Sequence, residues 1–182
     1  MLYTIMRKYF LLISDLQTKI LPNIKNSQSI INNTNLLLES TKYLPNIHKS
    51  YCAQILPEKL GFITPKLKLN KDTIILTKNR YSLYSPEILT DIKNNNINNI
   101  ILTGVETPWC IAQTTIDFLN VNINVHIPVD AVGCQDEKEN EITLNRLQSF
   151  GAHICTTKGI IAECIPDVED PSAKWFVTKY NK

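Results

Sequence analysis

The stretch "NIILTGVETPWCIAQTTIDFL", Asn99–Leu119, decides the fold. It opens with a run of β-branched and aliphatic residues that shows no polar alternation. A strand reads this way when both of its faces are covered, as in a parallel sheet. Gly104 ends the run, and Thr107 and Pro108 punctuate it. From residue 108 to 121 the apolar positions then recur at helical spacing. Thr107 reads as the helix cap, and Pro108 suits the first helical position because its missing N–H is unpaired there anyway. Strand, tight turn and helix in succession are half of a βαβ unit.

The same alternation continues in both directions. Short apolar runs lie at 9–16, 48–54, 72–78, 124–132 and 153–157, and helical patterns at 24–43, 86–95, 136–150 and Pro171–Tyr180. Asp136, Glu137 and Glu139 open the 136–150 helix and Gly151 follows it, a matched start and stop. The expected architecture is a three-layer αβα sandwich on a six-stranded, mostly parallel sheet, with residues 1–182 as one domain. The longest irregular stretch, 55–71, is marked for function because long loops in compact domains often carry it.

Bulk properties narrow the function. The chain has 182 residues, 43% hydrophobic and 20% charged, with a net charge of +2. That balance gives no electrostatic footprint for nucleic acid, and the Lys66, Lys68, Lys71 group reads as a solvated loop. No run approaches the roughly 20 apolar residues of a membrane span. Asp15 interrupts the first apolar run, which argues against a secretory signal, and Met6 offers an alternative start. Five cysteines (52, 110, 134, 155 and 164) without a CxxC suit free thiols in a reducing cytoplasm. His48, His126 and His153 stand in no metal-binding spacing. No GxGxxG or Walker loop follows the first strand, which disfavours nucleotide binding.

In a doubly wound sheet, ligands bind beyond the carboxyl ends of the strands. The first strand ends at Asp15, the third at Lys78, and Cys110 lies just past the fourth. At the third helical position, Cys110 would sit near unpaired N–H groups and the positive end of the helix dipole. A lysine beside it would favour the thiolate further, and a carboxylate could carry a proton. The sequence thus predicts a lowered thiol pKa. Taken singly, each residue also suits a capping, solvated or core role.

Six stretches resemble one family in order and spacing. They are "LLISDLQTKI" (11–20), "AQILPEKLGFITPKL" (53–67), "LTKNRYSLYSP" (76–86), "ILTGVETPWCIAQTTIDFL" (101–119), "VHIPVDAVGCQ" (125–135) and "TLNRLQSFGAHICTTKGIIAECI" (143–165). Together they resemble the isochorismatase-like cysteine hydrolases, specifically the short isochorismatase domain-containing branch. That resemblance implies a triad of Asp15 as general base, Lys78 as bridging ammonium and Cys110 as nucleophile. It implies a cis peptide at Val105–Glu106, with the N–H groups of Glu106 and Cys110 facing an oxyanion. It also implies a homo-oligomer, a dimer or larger, acting on a small molecule.

Candidate substrate-binding residues are Gln17, Gln54, Tyr81 and Trp109, each next to a motif residue. Tyr81 and Trp109 equally suit packing or a subunit contact. Asp130 suits either the site or a loop cap, and Arg80 suits a substrate carboxylate or an acid such as Glu87. The nicotinamidases of this superfamily hold a metal through D-x-H. This chain has Lys49 to Gln54 in that region, so no metal or cofactor is expected. The aromatic expected after the first-strand aspartate is Ile20, and the glutamate of the branch's E-Q pair is Ala53. The expected function is metal-independent hydrolysis of a small amide, imide or related C–N substrate. The alternative is a silent or redox-sensing member of the fold acting through partners.

Overall fold

A computed structural model describes residues 7–180. The stretch before them, Met6 included, lies outside the described residues. The central strand β1 (Tyr9–Ser14) is buried along its whole length. It pairs in parallel with β2 (Ile47–Ile55) on one side and β4 (Asn99–Val105) on the other. β3 (Ile74–Lys78) extends the sheet beyond β2. β5 (Asn124–Pro128) and β7 (His153–Cys155) extend it beyond β4. The order is β3-β2-β1-β4-β5-β7, and the two-residue β6 (Val132–Gly133) also pairs with β4.

The period-2 geometry of β1 builds two cores at once. Tyr9, Leu11 and Ile13 face one layer, with α1 (Ser27–Ser40), α6 (Thr157–Glu163) and α7 (Pro171–Tyr180). Phe10 and Leu12 face the other, with α3 (Pro86–Asn94), α4 (Ala112–Leu119) and α5 (Glu137–Ser149). This is the expected three-layer sandwich.

Four local expectations need correcting. The 124–132 run is not one strand: a 3₁₀ turn at Val129–Ala131 splits it. Asp130 in that turn accepts from the Thr157 N–H (2.8 Å) and hydroxyl (2.9 Å), so it pins the start of α6. The irregular 55–71 stretch contains a single helical turn, α2 (Pro57–Leu60). Thr107 caps nothing: its buried hydroxyl has no hydrogen-bond partner.

Among the described residues, no helix is long and apolar enough to cross a membrane.

Candidate active site

The register of the central strands sets the site. Ser14 lies opposite Gly104 in the β1–β4 pair. A Cβ on Gly104 would stand 2.0 Å from the Ser14 carbonyl oxygen, and its φ is +128°, so only glycine fits this approach. Just past this contact both chains turn through the left-handed region, Asp15 at φ 58° and Glu106 at φ 62°. Such conformations in non-glycine residues cost free energy and collect at functional sites. They bring the segment after β1 against the turn before α4.

Lys78 closes the group from the far side of β2. Its ammonium lies 2.8 Å from Asp15 Oδ2 and 3.4 Å from Cys110 Sγ. It also donates to the carbonyls of Tyr81 (2.8 Å) and Arg80 (3.2 Å), which fixes its position. The Asp15 side chain is fully buried and Cys110 is 3% exposed. The Ser14 hydroxyl donates to Asp15 Oδ2 at 2.8 Å, while Oδ1 has no partner and is an open acceptor. The structure therefore brings together the three residues that sequence reading selected.

The electrostatics differ from the sequence expectation. Burial, and after it the charge of Asp15, push the Cys110 thiol up to about 12, and Lys78 offsets only part of this. The helix-dipole argument omitted the cost of desolvating a thiolate next to a carboxylate. Burial and the neighbouring carboxylate thus favour a thiol beside a base over a preformed thiolate.

The turn also differs. The Val105–Glu106 peptide is trans, since no cis bond occurs among the described residues. The bend comes instead from the left-handed Glu106 and a π-type turn over Thr107–Ile111. In that turn the N–H groups of Trp109 and Cys110 both donate to the Glu106 carbonyl, each at 3.0 Å. The Cys110 N–H expected at an oxyanion is thus engaged in this structure.

A cavity of about 360 Å³ opens over the sulfur, and Asp15, Cys110, Glu106, Tyr81 and Trp109 all line it. The Tyr81 and Trp109 rings lie 5.8 Å apart at its mouth. Ile20, Ile55, Leu56 and Leu60 form an apolar wall, with Lys19 and Asn23 also on the lining. Sequence reading missed Lys19, Asn23 and the individual leucines, although it had marked the 55–71 stretch and Ile20.

Gln17 and Gln54 do not line this cavity. Gln17 is fully buried. Its amide donates to the Ile55 carbonyl (3.0 Å) and accepts from the Ile55 N–H (2.7 Å), and it also donates to the Gly61 carbonyl. It clamps the wall in place instead of meeting a ligand. Gln54 donates to Thr77 Oγ1 at 3.2 Å on the neighbouring strand. Arg80 stands 3.8 Å from the acid Asp117 and, among the described residues, forms no ion pair with Glu87. Among the described residues, no three His, Cys, Asp or Glu side chains converge to hold a metal.

A parallel sheet with helices on both faces and a polar group at its carboxyl edge is the class to which the isochorismatase-like hydrolases belong. The chain is a member of the isochorismatase family, whose domain model matches residues 9–159. It is 30% identical over 171 residues to isochorismatase family protein 1B of Dictyostelium discoideum, spanning 92% of this chain and 83% of that protein. Isochorismatase domain-containing protein 2 of Danio rerio is also 30% identical, over 90% of this chain and 82% of its own. The solved structure of the MAR1 ribonuclease from Caenorhabditis elegans superposes with a TM-score of 0.89 at 27% identity, covering 97% and 91% of the two chains. The YcaC gene product of Escherichia coli, an octameric hydrolase of unknown specificity, shares the fold at 19% identity and a TM-score of 0.80, over 96% and 94%.

Proposed function

We propose that this chain is a metal-independent cysteine hydrolase of small amides, imides or related C–N compounds. One observation carries the reading: a lysine ammonium, held by two carbonyls, bridges a buried carboxylate at 2.8 Å and a buried sulfur at 3.4 Å. A core thiol has no use for such a pair, whereas a nucleophile needs both.

In the proposed cycle Cys110 gives its proton to Asp15 as its sulfur attacks the substrate carbonyl carbon. The thiol is otherwise protonated at neutral pH, so transfer and attack are coupled. The oxyanion is met by the N–H groups of Glu106 and Cys110, the latter exchanging the Glu106 carbonyl for the developing charge. Asp15 returns the proton to the leaving nitrogen, which departs as an amine or ammonia and leaves a thioester. Water then loses a proton to Asp15 as it attacks the thioester; the adduct expels the sulfur, which takes that proton back from Asp15, and the acid leaves. Lys78 keeps Asp15 and the sulfur in place and balances the carboxylate.

The reading extends to a homo-oligomer in the cytoplasm. Supporting it are the exposed Leu56, Tyr81 and Trp109 at the cavity mouth and five unpaired thiols. The redox-sensing alternative is less well supported, because it gives no role to the Lys78–Asp15 pair beside the sulfur.

The test is a panel of small amides and imides, together with a short RNA, assayed for ammonia, acid or cleavage products. The account expects turnover within the C–N panel and a loss of at least about a thousandfold in Cys110→Ala. Turnover that survives Cys110→Ala, or RNA cleavage alone, contradicts it.

A further inference from the structure

The cavity over Cys110 carries one acid that the proposed cycle does not use. Glu106 lines it beside Asp15, Cys110, Tyr81 and Trp109, and its carboxylate feels the charge of Asp15. It is half-buried, and among the described residues it makes no ion pair and no side-chain hydrogen bond. Burial first, and then the charges of Glu139 and Asp15, raise its pKa, the mark of a carboxylate short of a cationic partner. Its backbone is held in the left-handed region at φ 62° and ψ 59°, so the turn fixes the residue at the cavity. Asp15 Oδ1, fully buried in the same lining, is also unpartnered.

The surrounding charges leave Glu106 unbalanced. Lys78 is committed to Asp15, Cys110 and two carbonyls. Lys19 lines the cavity as an exposed residue and is in no ion pair among the described residues. The rest of the lining is apolar or aromatic, apart from Asn23. A ligand that satisfies this cavity has a flat or apolar body for Tyr81 and Trp109, and a positive charge for Glu106.

We propose that Glu106 is a specificity residue that selects substrates bearing a positively charged nitrogen near the scissile carbonyl. The inference rests on the proposed role of Cys110 as nucleophile. An anionic substrate is disfavoured by the same carboxylate, through like-charge repulsion in a partly dry cavity.

The experiment uses three thiol-directed reagents that deliver substituted ethylthio groups of different charge. They are the 2-(trimethylammonium)ethyl, 2-hydroxyethyl and 2-sulfonatoethyl methanethiosulfonates. In each case the Cys110 sulfur attacks the reagent's sulfenyl sulfur, methanesulfinate leaves and a mixed disulfide forms. Rates at Cys110 and Cys155 are read separately by peptide mass spectrometry, in wild type, Glu106→Gln and Glu106→Asp.

At Cys110 the cationic reagent should outpace the anionic one by at least about tenfold more than it does at the free thiol 2-mercaptoethanol, a preference set by the fixed charge. That normalised ratio should fall at least about fivefold in Glu106→Gln, leaving what Asp15 and Lys78 contribute, and persist in Glu106→Asp. A ratio unchanged in Glu106→Gln, or a faster anion in wild type, overturns the specificity role and leaves the nucleophile intact. Cys110 reacting with none of the reagents faster than Cys155 overturns both.

Discussion

Asp15, Lys78 and Cys110 come from three separate strand ends, and their meeting depends on residues that do no chemistry. Gln17 is the clearest case. Its amide satisfies both backbone groups of Ile55 and the Gly61 carbonyl, all in a buried setting. Removing it leaves those groups without partners, and each buried orphan costs about 1–3 kcal/mol. Gln17→Ala should therefore lower stability by about 3 kcal/mol in urea titration. It should also loosen the Ile55–Leu60 wall and raise KM more than it lowers kcat. A variant as stable as wild type would show that the clamp is dispensable.

At the scale of elements, the sequence was most legible where one physical signal dominated. The uninterrupted apolar runs of β1 and β4 predicted parallel strands covered on both sides, and both are fully buried. The acid-rich start of α5 was equally plain, since Asp136 accepts from the N–H groups of Lys138 and Glu139. Signals that depend on tertiary neighbours were not legible. Val129–Ala131 interrupts an apolar run because Asp130 is recruited to α6, a contact 27 residues away. The turn before α4 was read with Thr107 as its cap, but the chain bends at Glu106 instead. The sequence reading of the Cys110 thiol rests on its helical position and on a lysine beside it. The thiol's protonation follows from burial and Asp15, which only the folded chain brings to it. Gln17 and Gln54 lie near the site in sequence, yet Gln17 is turned to Ile55 and Gly61 and Gln54 to Thr77, contacts that only the folded chain makes.

Across the whole molecule, the sheet holds one pH-sensitive residue outside the cavity lining, His126. His126 on β5 and His153 on β7 are register partners with rings stacked at 4.7 Å. His126 is 3% exposed, with Tyr9 edge-on at 5.3 Å and Asn99 Oδ1 at 3.4 Å. Burial, then the charges of His153 and Arg7, push its pKa down to about 4. The folded state thus disfavours the proton that the unfolded chain binds near pH ~6.5. The contribution to stability is complete above that pH and is lost as pH falls toward about 4. Between pH 7 and pH 5 the loss should be about 2 kcal/mol, and His126→Gln should flatten the profile. An equally steep profile in that variant would place the acid sensitivity elsewhere.

The central claim is that Asp15 takes the proton of Cys110, and alkylation separates this from a purely electrostatic role. Cys110 would be alkylated with iodoacetamide at pH ~7 in wild type and Asp15→Asn, and quantified by peptide mass spectrometry against Cys134 and Cys155. If Asp15 acts as the base, Cys110 reacts faster than the other two, and Asp15→Asn slows it by at least about tenfold. If Asp15 only raises the thiol pKa through its charge, removing that charge frees the thiolate and Asp15→Asn reacts faster. An acceleration in Asp15→Asn would contradict the account.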